Sequence, residues 1–133
     1  MSLVPKVSFN HFIFMYQRII EEQIQKKLFS GKIVCIFGPR RSGKTTLAKK
    51  ILADFGEDGY YMNCEDIRER AYLLPGEPSV LKKYLGSKKI VVIDEAQTIE
   101  NIGMVLKVFV DTYPETQIIA TGSSSFELAN RVG

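Results

Sequence analysis

Residues 38 to 45 read Gly-Pro-Arg-Arg-Ser-Gly-Lys-Thr, a G-x-x-x-x-G-K-[ST] pattern whose residue types suit a chain of phosphates. Gly38 and Gly43 permit backbone angles closed to other residues and leave no side chain between backbone and phosphate. Consecutive N–H groups can then turn inward as a nest for an anion. Lys44 stands where a compact positive charge reaches the outer phosphates. Thr45 offers a hydroxyl to the magnesium ion that accompanies them. The expected contact segment is Gly38, Pro39, Arg40, Arg41, Ser42, Gly43, Lys44, Thr45 and Thr46. For Arg40 and Arg41, phosphate contact, pairing with a nearby acid and plain solvation are all open. A chance match somewhere in a chain of this length is roughly 1 in 200 at ordinary glycine content.

A second constellation is acidic. Ile90-Val91-Val92-Ile93 is an apolar run closed by Asp94 and Glu95. In an open α/β sheet, ligands bind beyond the carboxyl ends of the strands, where the phosphate loop also lies. Asp94 is therefore placed to hold magnesium through a water. Glu95 can point past the terminal phosphate, where a carboxylate orients and polarises an attacking water. Thr121 and Ser123 close the next apolar run, and a hydroxyl there can bond the terminal phosphate or that water. The residues alone leave open which of the two does so. The candidate catalytic set is thus Glu95, Lys44, Thr121 and Ser123, and the candidate metal set is Thr45 and Asp94. Lys49 and Lys50 are expected to face solvent, and Asn63 and Asp66 to serve an ordinary turn, with a place facing the site as the alternative.

These residues need particular elements around them. Ile33 to Phe37 is an unbroken apolar run, as in a strand covered on both faces. After the loop, Leu47, Ala48, Ile51, Leu52 and Phe55 recur at helical spacing, with Gly56 as the expected cap. Upstream, Val4 to Phe14 reads as irregular with room for a short strand, and Tyr16 to Phe29 as an amphipathic helix stopped at Ser30-Gly31. Tyr60 to Asn63 predicts a second strand, and Glu65 to Leu74 a helix ended by Pro75-Gly76-Glu77-Pro78. Ser79 is the expected cap of a short helix through Leu85. Ile102 to Val110 predicts another helix and Gln117 to Thr121 a fourth strand. Ser124 and Glu127 fit a capping box for a last helix. Strand–helix units with apolar strands imply a parallel α/β sheet flanked by helices.

The length of 133 residues suits one domain with a core of its own, without internal repeat or linker. A net charge of +3 is too mild to argue for nucleic acid or an anionic surface. No apolar run reaches the length of a membrane span. Lys6, Asn10 and His11 interrupt the apolar residues near the N-terminus, so no signal peptide is expected. Two cysteines, Cys35 and Cys64, without a C-x-x-C and with a single histidine in the chain, read as packed, reduced thiols of a cytoplasmic protein.

Taken together, GPRRSGKT, VVIDE, IIATGSS and the helix before the first strand resemble the P-loop ATPases of the AAA+ superfamily. The chain is most similar to a prokaryotic group with GPRR-x-GKT, then DE-x-Q, then TGSS, whose members carry a C-terminal domain of unassigned function. The resemblance runs from about Arg18 to Arg131. It implies an ATP-binding, ATP-hydrolysing domain with ATP and Mg2+ at the site. Lys44 would bind the outer phosphates, Thr45 and Asp94 would serve the metal, and Glu95 would activate water. Thr121 or Ser123 would be the sensor. The resemblance also implies a fourth strand lying between the first and third. The family's fifth core strand, lid and arginine finger would follow residue 133, so residues 1–133 are expected to be the ATPase core alone, with weak hydrolysis. Without the fifth strand, the first strand is expected at an edge.

ATP is the expected partner; no N-K-x-D segment is present to read guanine. A homo-oligomer is an open alternative, and nucleic acid an unsupported one. No membrane partner is expected. Two other functions are carried alongside: a nucleotide-dependent switch without turnover, and a helicase-like ATPase suggested by the DEAQ at Asp94 to Gln97.

Overall fold

The structure is a computed structural model that describes residues 9–39 and 41–123, with side chains described from Gln17 onward. Arg40 and the capping box at Ser124 and Glu127 lie outside the described residues. The elements in order are α1 (Phe9–Lys27), β1 (Val34–Phe37), α2 (Lys44–Ala53), β2 (Gly59–Asn63), α3 (Ile67–Arg70), α4 (Pro78–Leu85), β3 (Ile90–Asp94), α5 (Ile102–Thr112) and β4 (Gln117–Gly122).

The four strands form one parallel sheet in the order β1-β4-β3-β2. The fold is therefore α/β, and β4 lies between β1 and β3. Within the described residues β1 is an edge strand. Side chains of a strand alternate between faces, and the two cores follow that alternation. Ile90, Val92 and Ile119 pack with Leu47, Ala48 and Ile51 of α2 and with Ile24 of α1. Val91, Ile93, Ile118 and Ala120 pack on the other side with Leu81 and Leu85 of α4 and with Ile102, Leu106 and Phe109 of α5. Burial on both faces is why β3 and β4 read as continuous apolar runs rather than alternating ones. Each fully buried Ile or Phe contributes about 1.5–3 kcal/mol.

Several local readings are corrected. Residues Val4 to Phe14 were expected to be irregular, but α1 already begins at Phe9. Its early turns lack the tidy apolar stripe that marks the later ones, so periodicity missed them. The helix expected over Glu65 to Leu74 contracts to the single turn of α3. Asp66 caps that turn by accepting the Arg68 N–H at 2.9 Å, and irregular turns follow to Pro75. Helix α4 starts at Pro78, whose fixed φ suits the first helical position, so Ser79 is inside the helix and not its cap. Helix α2 closes on Asp54 in the right-handed region, and Gly56, at φ 52°, opens a separate 3-10 turn.

Two contacts fix the sheet ends. Gln117 on β4 accepts the Phe29 N–H at 2.6 Å and donates to the Lys32 carbonyl at 2.9 Å, tying the α1–β1 turn to the sheet. Tyr60 of β2 donates to Glu69 at 3.0 Å and also meets the Tyr84 hydroxyl, while Tyr72 stacks on Tyr84 with centroids 3.6 Å apart. The exposed end of β2 is thereby bound to α3 and α4. Cys35 is half-buried and Cys64 fully buried, both as free thiols.

Candidate functional site

The strand register places the site. Ile36 pairs with Thr121, and Asn63 pairs with Asp94, so the carboxyl ends of β1, β4, β3 and β2 stand side by side. Period-2 alternation puts Tyr61, Asp94 and Thr121 on the face covered by α2, because Val92 and Ile119 are buried against it. The loop between β1 and α2 arches over that end of the sheet.

The two loop glycines are there for different reasons. Gly43 has φ 89°, a left-handed conformation that side chains disfavour. Gly38 has no such angle; a Cβ on it would lie 2.6 Å from the Ser42 hydroxyl. The expectation of special angles thus holds for Gly43, whereas Gly38 is a matter of space. Arg41, at φ 67°, shares the left-handed region and is exposed. The loop closes on itself through the Ser42 N–H to the Pro39 carbonyl at 3.2 Å, and it is tied to β4 through the Gly38 N–H to the Gly122 carbonyl at 3.2 Å.

Helix α2 starts at Lys44 with Gly43 as its cap, no side-chain cap bond and no acid in its first turn. Its first N–H groups therefore keep their donor capacity and the positive end of the helix dipole is not offset, which is the arrangement an anion requires. The helix has ten residues, enough for several aligned peptide dipoles. Lys44 is buried, and its Nζ lies 3.5 Å from the Pro39 carbonyl and 3.5 Å from Glu95 Oε1.

Asp94 sits at the centre of a set of hydroxyl donors. Thr45 Oγ1 lies 3.1 Å from Asp94 Oδ1 and 3.0 Å from Oδ2, and the hydroxyls of Tyr61 and Thr121 also donate to the carboxylate. Burial, the largest influence, pushes the Asp94 carboxyl upward. Bonds from Thr121, Tyr61, Thr45 and the Glu95 N–H together outweigh burial and hold the group below the usual carboxylate range. Asp94 is thus kept anionic. The Tyr61 hydroxyl is pushed upward in turn, first by burial and then by its bond to Asp94. The Lys49 ammonium lies 4.4 Å from the centre of the Tyr61 ring.

Glu95 departs from the strand with φ 55°. Its N–H donates to Thr121 Oγ1 at 3.1 Å. The turn that follows brings Gln97 back toward the site. Gln97 Nε2 lies 2.9 Å from Ser123 Oγ and 3.4 Å from Glu95 Oε2, and the Ser123 N–H donates to Gln97 Oε1 at 3.3 Å. Thr121 is fully buried between Asp94 and the Glu95 amide, whereas Ser123 is half-buried at the strand end.

The structure therefore brings together Lys44, Thr45, Asp94, Glu95, Thr121 and Ser123. Thr46 lies on the exposed side of α2's first turn. Lys50 pairs with Glu21 at 3.2 Å, and Asn63 accepts the Glu65 N–H at 3.0 Å, as turn residues do. Two residues of this cluster, Tyr61 and Gln97, were not singled out from the sequence as site residues. A donor set of hydroxyl and carboxylate oxygens suits a hard cation such as magnesium, which uses one or two carboxylates and completes its shell with water and phosphate. No cluster of three or more His, Cys, Asp or Glu occurs among the described residues, so the pattern of an all-protein metal cage is not seen there. No helix among the described residues is long and apolar enough to cross a membrane.

A protein-family model described as "AAA domain" matches residues 30–133. No curated protein gives a match.

Proposed function

Because the chain belongs to the AAA domain family, whose domains are nucleotide-binding and ATPase-like, we propose that it binds ATP with magnesium and hydrolyses the terminal phosphoanhydride bond. The observation that carries this reading is one buried cluster at the strand ends, in which Lys44 reaches Glu95 and Thr45 reaches Asp94 beneath an open helix N-terminus. The GPRRSGKT, DEAQ and TGSS segments support a place in the prokaryotic group that carries a further C-terminal domain. The cytoplasm, which supplies ATP and keeps Cys35 and Cys64 reduced, is the compartment in which we set this activity.

In this mechanism the loop amides and the first N–H groups of α2 hold the phosphate oxygens, and Lys44 adds a positive charge to the outer two phosphates. A triphosphate in the loop competes with Glu95 for Lys44. Thr45 and Asp94 would hold magnesium, which when bound neutralises charge on the phosphate oxygens. Glu95 orients a water and accepts its proton as the water oxygen bonds to the terminal phosphorus. The bond from that phosphorus to the bridging oxygen breaks, leaving ADP and inorganic phosphate. Ser123, at the strand end, is the sensor we assign to the terminal phosphate; the Thr121 hydroxyl is already engaged by Asp94 and the Glu95 amide.

The test is titration of a fluorescent ATP analogue with magnesium, followed by single-turnover phosphate release. Lys44→Ala should weaken binding at least tenfold. Glu95→Gln should retain binding and slow release by 100-fold or more, within the range seen for general bases. Unchanged affinity in Lys44→Ala refutes the site. Tight binding with no phosphate release over hours makes the domain a nucleotide switch.

A further inference from the structure

Gln97 is a side chain of the site whose bonding has no place in the mechanism above. Its amide orientation is set by the Ser123 N–H, which must face an acceptor, so Oε1 lies on that side at 3.3 Å. Nε2 then faces two acceptors, Ser123 Oγ at 2.9 Å and Glu95 Oε2 at 3.4 Å. A primary amide carries two N–H donors, and both are accounted for here. The Ser123 oxygen accepts from Gln97, which leaves its own hydrogen to point elsewhere. The Glu95 side chain, only 9% exposed, has its carboxylate held by Lys44 at 3.5 Å and by Gln97 at 3.4 Å. The intervening turn makes this geometry: Glu95 at φ 55° starts a 3-10 turn over Ala96–Thr98, which swings the residue two places on back over the strand end. That turn is itself anchored by the Thr98 hydroxyl, whose one hydrogen lies between the Glu95 and Cys64 carbonyls at 2.9 and 3.2 Å.

We propose that Gln97 is a positioning residue that fixes the Glu95 carboxylate and the Ser123 hydroxyl relative to one another, so that the water-activating and phosphate-sensing groups are set as one unit. The inference rests on the ATPase reading given above. A terminal phosphate that engages Ser123 then pulls on the same amide that holds Glu95. When Lys44 turns to the phosphates, the Gln97 bond still holds Glu95 Oε2. The site thereby distinguishes a triphosphate from a diphosphate by a bonded path three residues long.

The experiment uses Gln97→Met, which keeps length and packing but has no donors, and Gln97→Glu, which keeps shape and sets a second carboxylate against Glu95. ATP and ADP affinities are measured by competition with a fluorescent analogue, alongside single-turnover hydrolysis and urea unfolding. Gln97→Met is expected to unfold at a urea midpoint near that of the wild type, Gln97→Glu at a lower one because of its second carboxylate, and both are expected to bind ADP within a few-fold of the wild type. The ratio of ATP to ADP affinity should fall about tenfold, the scale of one hydrogen bond to a charged group, and further in Gln97→Glu. The single-turnover rate should fall 10- to 100-fold while the ATP concentration for half-maximal rate moves much less. A Gln97→Met variant with the wild-type ratio and rate overturns the proposal. So does an equal loss of ATP and ADP affinity, which marks a merely structural side chain. Wild-type protein that binds no nucleotide overturns the ATPase reading itself, a result visible before any variant is made.

Discussion

Replacing Thr121 by Val tests how the acidic pair is built. The side chain is fully buried, and its hydroxyl does two things at once: it donates to Asp94 and accepts the Glu95 N–H at 3.1 Å. Valine keeps the branched shape and removes both. The lost bond to a carboxylate is worth about 1.5–3 kcal/mol, and a buried N–H left short of its acceptor costs about 1–3 kcal/mol. Asp94 retains donors in Tyr61 and Thr45, and its backbone contact with the Glu95 N–H persists, so the low end of each range applies. A gained methyl contact returns roughly 0.8 kcal/mol. The net destabilisation comes to about 2 kcal/mol, or roughly 6 °C in Tm for a domain of this size. Urea unfolding at pH 7 measures it, with an unchanged m-value as the sign that the denatured state is not involved. Ser123→Ala is the companion variant: its side chain is half-buried and its oxygen serves Gln97 alone among the described groups, so its cost should stay below about 1 kcal/mol. If Thr121→Val unfolds within about 0.5 kcal/mol of the wild type, the picture of Thr121 as a buried strut between the two acids is wrong.

Other consequences can be checked with the same protein. Tyr61→Phe removes one donor from Asp94 and keeps the ring under Lys49; magnesium-dependent ATP affinity should drop about three- to tenfold while affinity measured in EDTA is unchanged, and equal losses in both conditions refute the assignment. Burial pushes the Cys35 thiol up to about 11, and burial, followed by the charge of Asp94, pushes Cys64 up to about 12. Thiolate is the reactive form, so at pH 8 a thiol reagent should label the folded protein about 100-fold more slowly than the urea-unfolded chain, and the Cys35 rate should climb about tenfold per pH unit up to its pKa. Fast labelling of both thiols at pH 8 contradicts their burial.

The elements that carry chemistry were legible because their patterns are local. A phosphate loop needs fixed residue types within eight positions, and a buried strand announces itself as an apolar run closed by acids. The arrangement of β4 between β1 and β3 came from the resemblance rather than from periodicity, since no local pattern states strand order. What escaped was non-local or conformational. Tyr61 reads as an ordinary strand tyrosine until β2 is set in register beside β3, at which point alternation aims it along the α2 face toward Asp94. Gln97 was read only as a letter of two patterns, the DE-x-Q of the resembled group and a helicase-like DEAQ box. Its bonds to Glu95 and Ser123 depend on the left-handed turn at Glu95, and a glutamate gives no sign of φ 55° in its type.

The open choice between Thr121 and Ser123 shows the same limit more sharply. Both are small hydroxyl residues at the end of one strand, two positions apart, and therefore share a face while both remain in extended backbone. Composition and spacing cannot separate them. Depth does: β4 runs to Gly122, so Thr121 is inside the sheet with neighbours on both sides, while Ser123 is the first residue beyond it. A hydroxyl inside the sheet must find protein partners, and Thr121 finds two. Ser123, past the end, is half-buried and meets Gln97 among the described residues, and it is the hydroxyl we assign to the ligand. The division of labour we propose, with one hydroxyl bracing the acids and the other left for ligand, follows from where the strand stops rather than from which residues were chosen. Moving that stop should therefore take the second hydroxyl away from the ligand: Gly122→Val, which favours extended backbone, should draw Ser123 into the ladder and abolish the ATP-over-ADP preference while leaving ADP affinity intact. A variant that keeps the preference would show that strand depth does not decide which hydroxyl serves the phosphate.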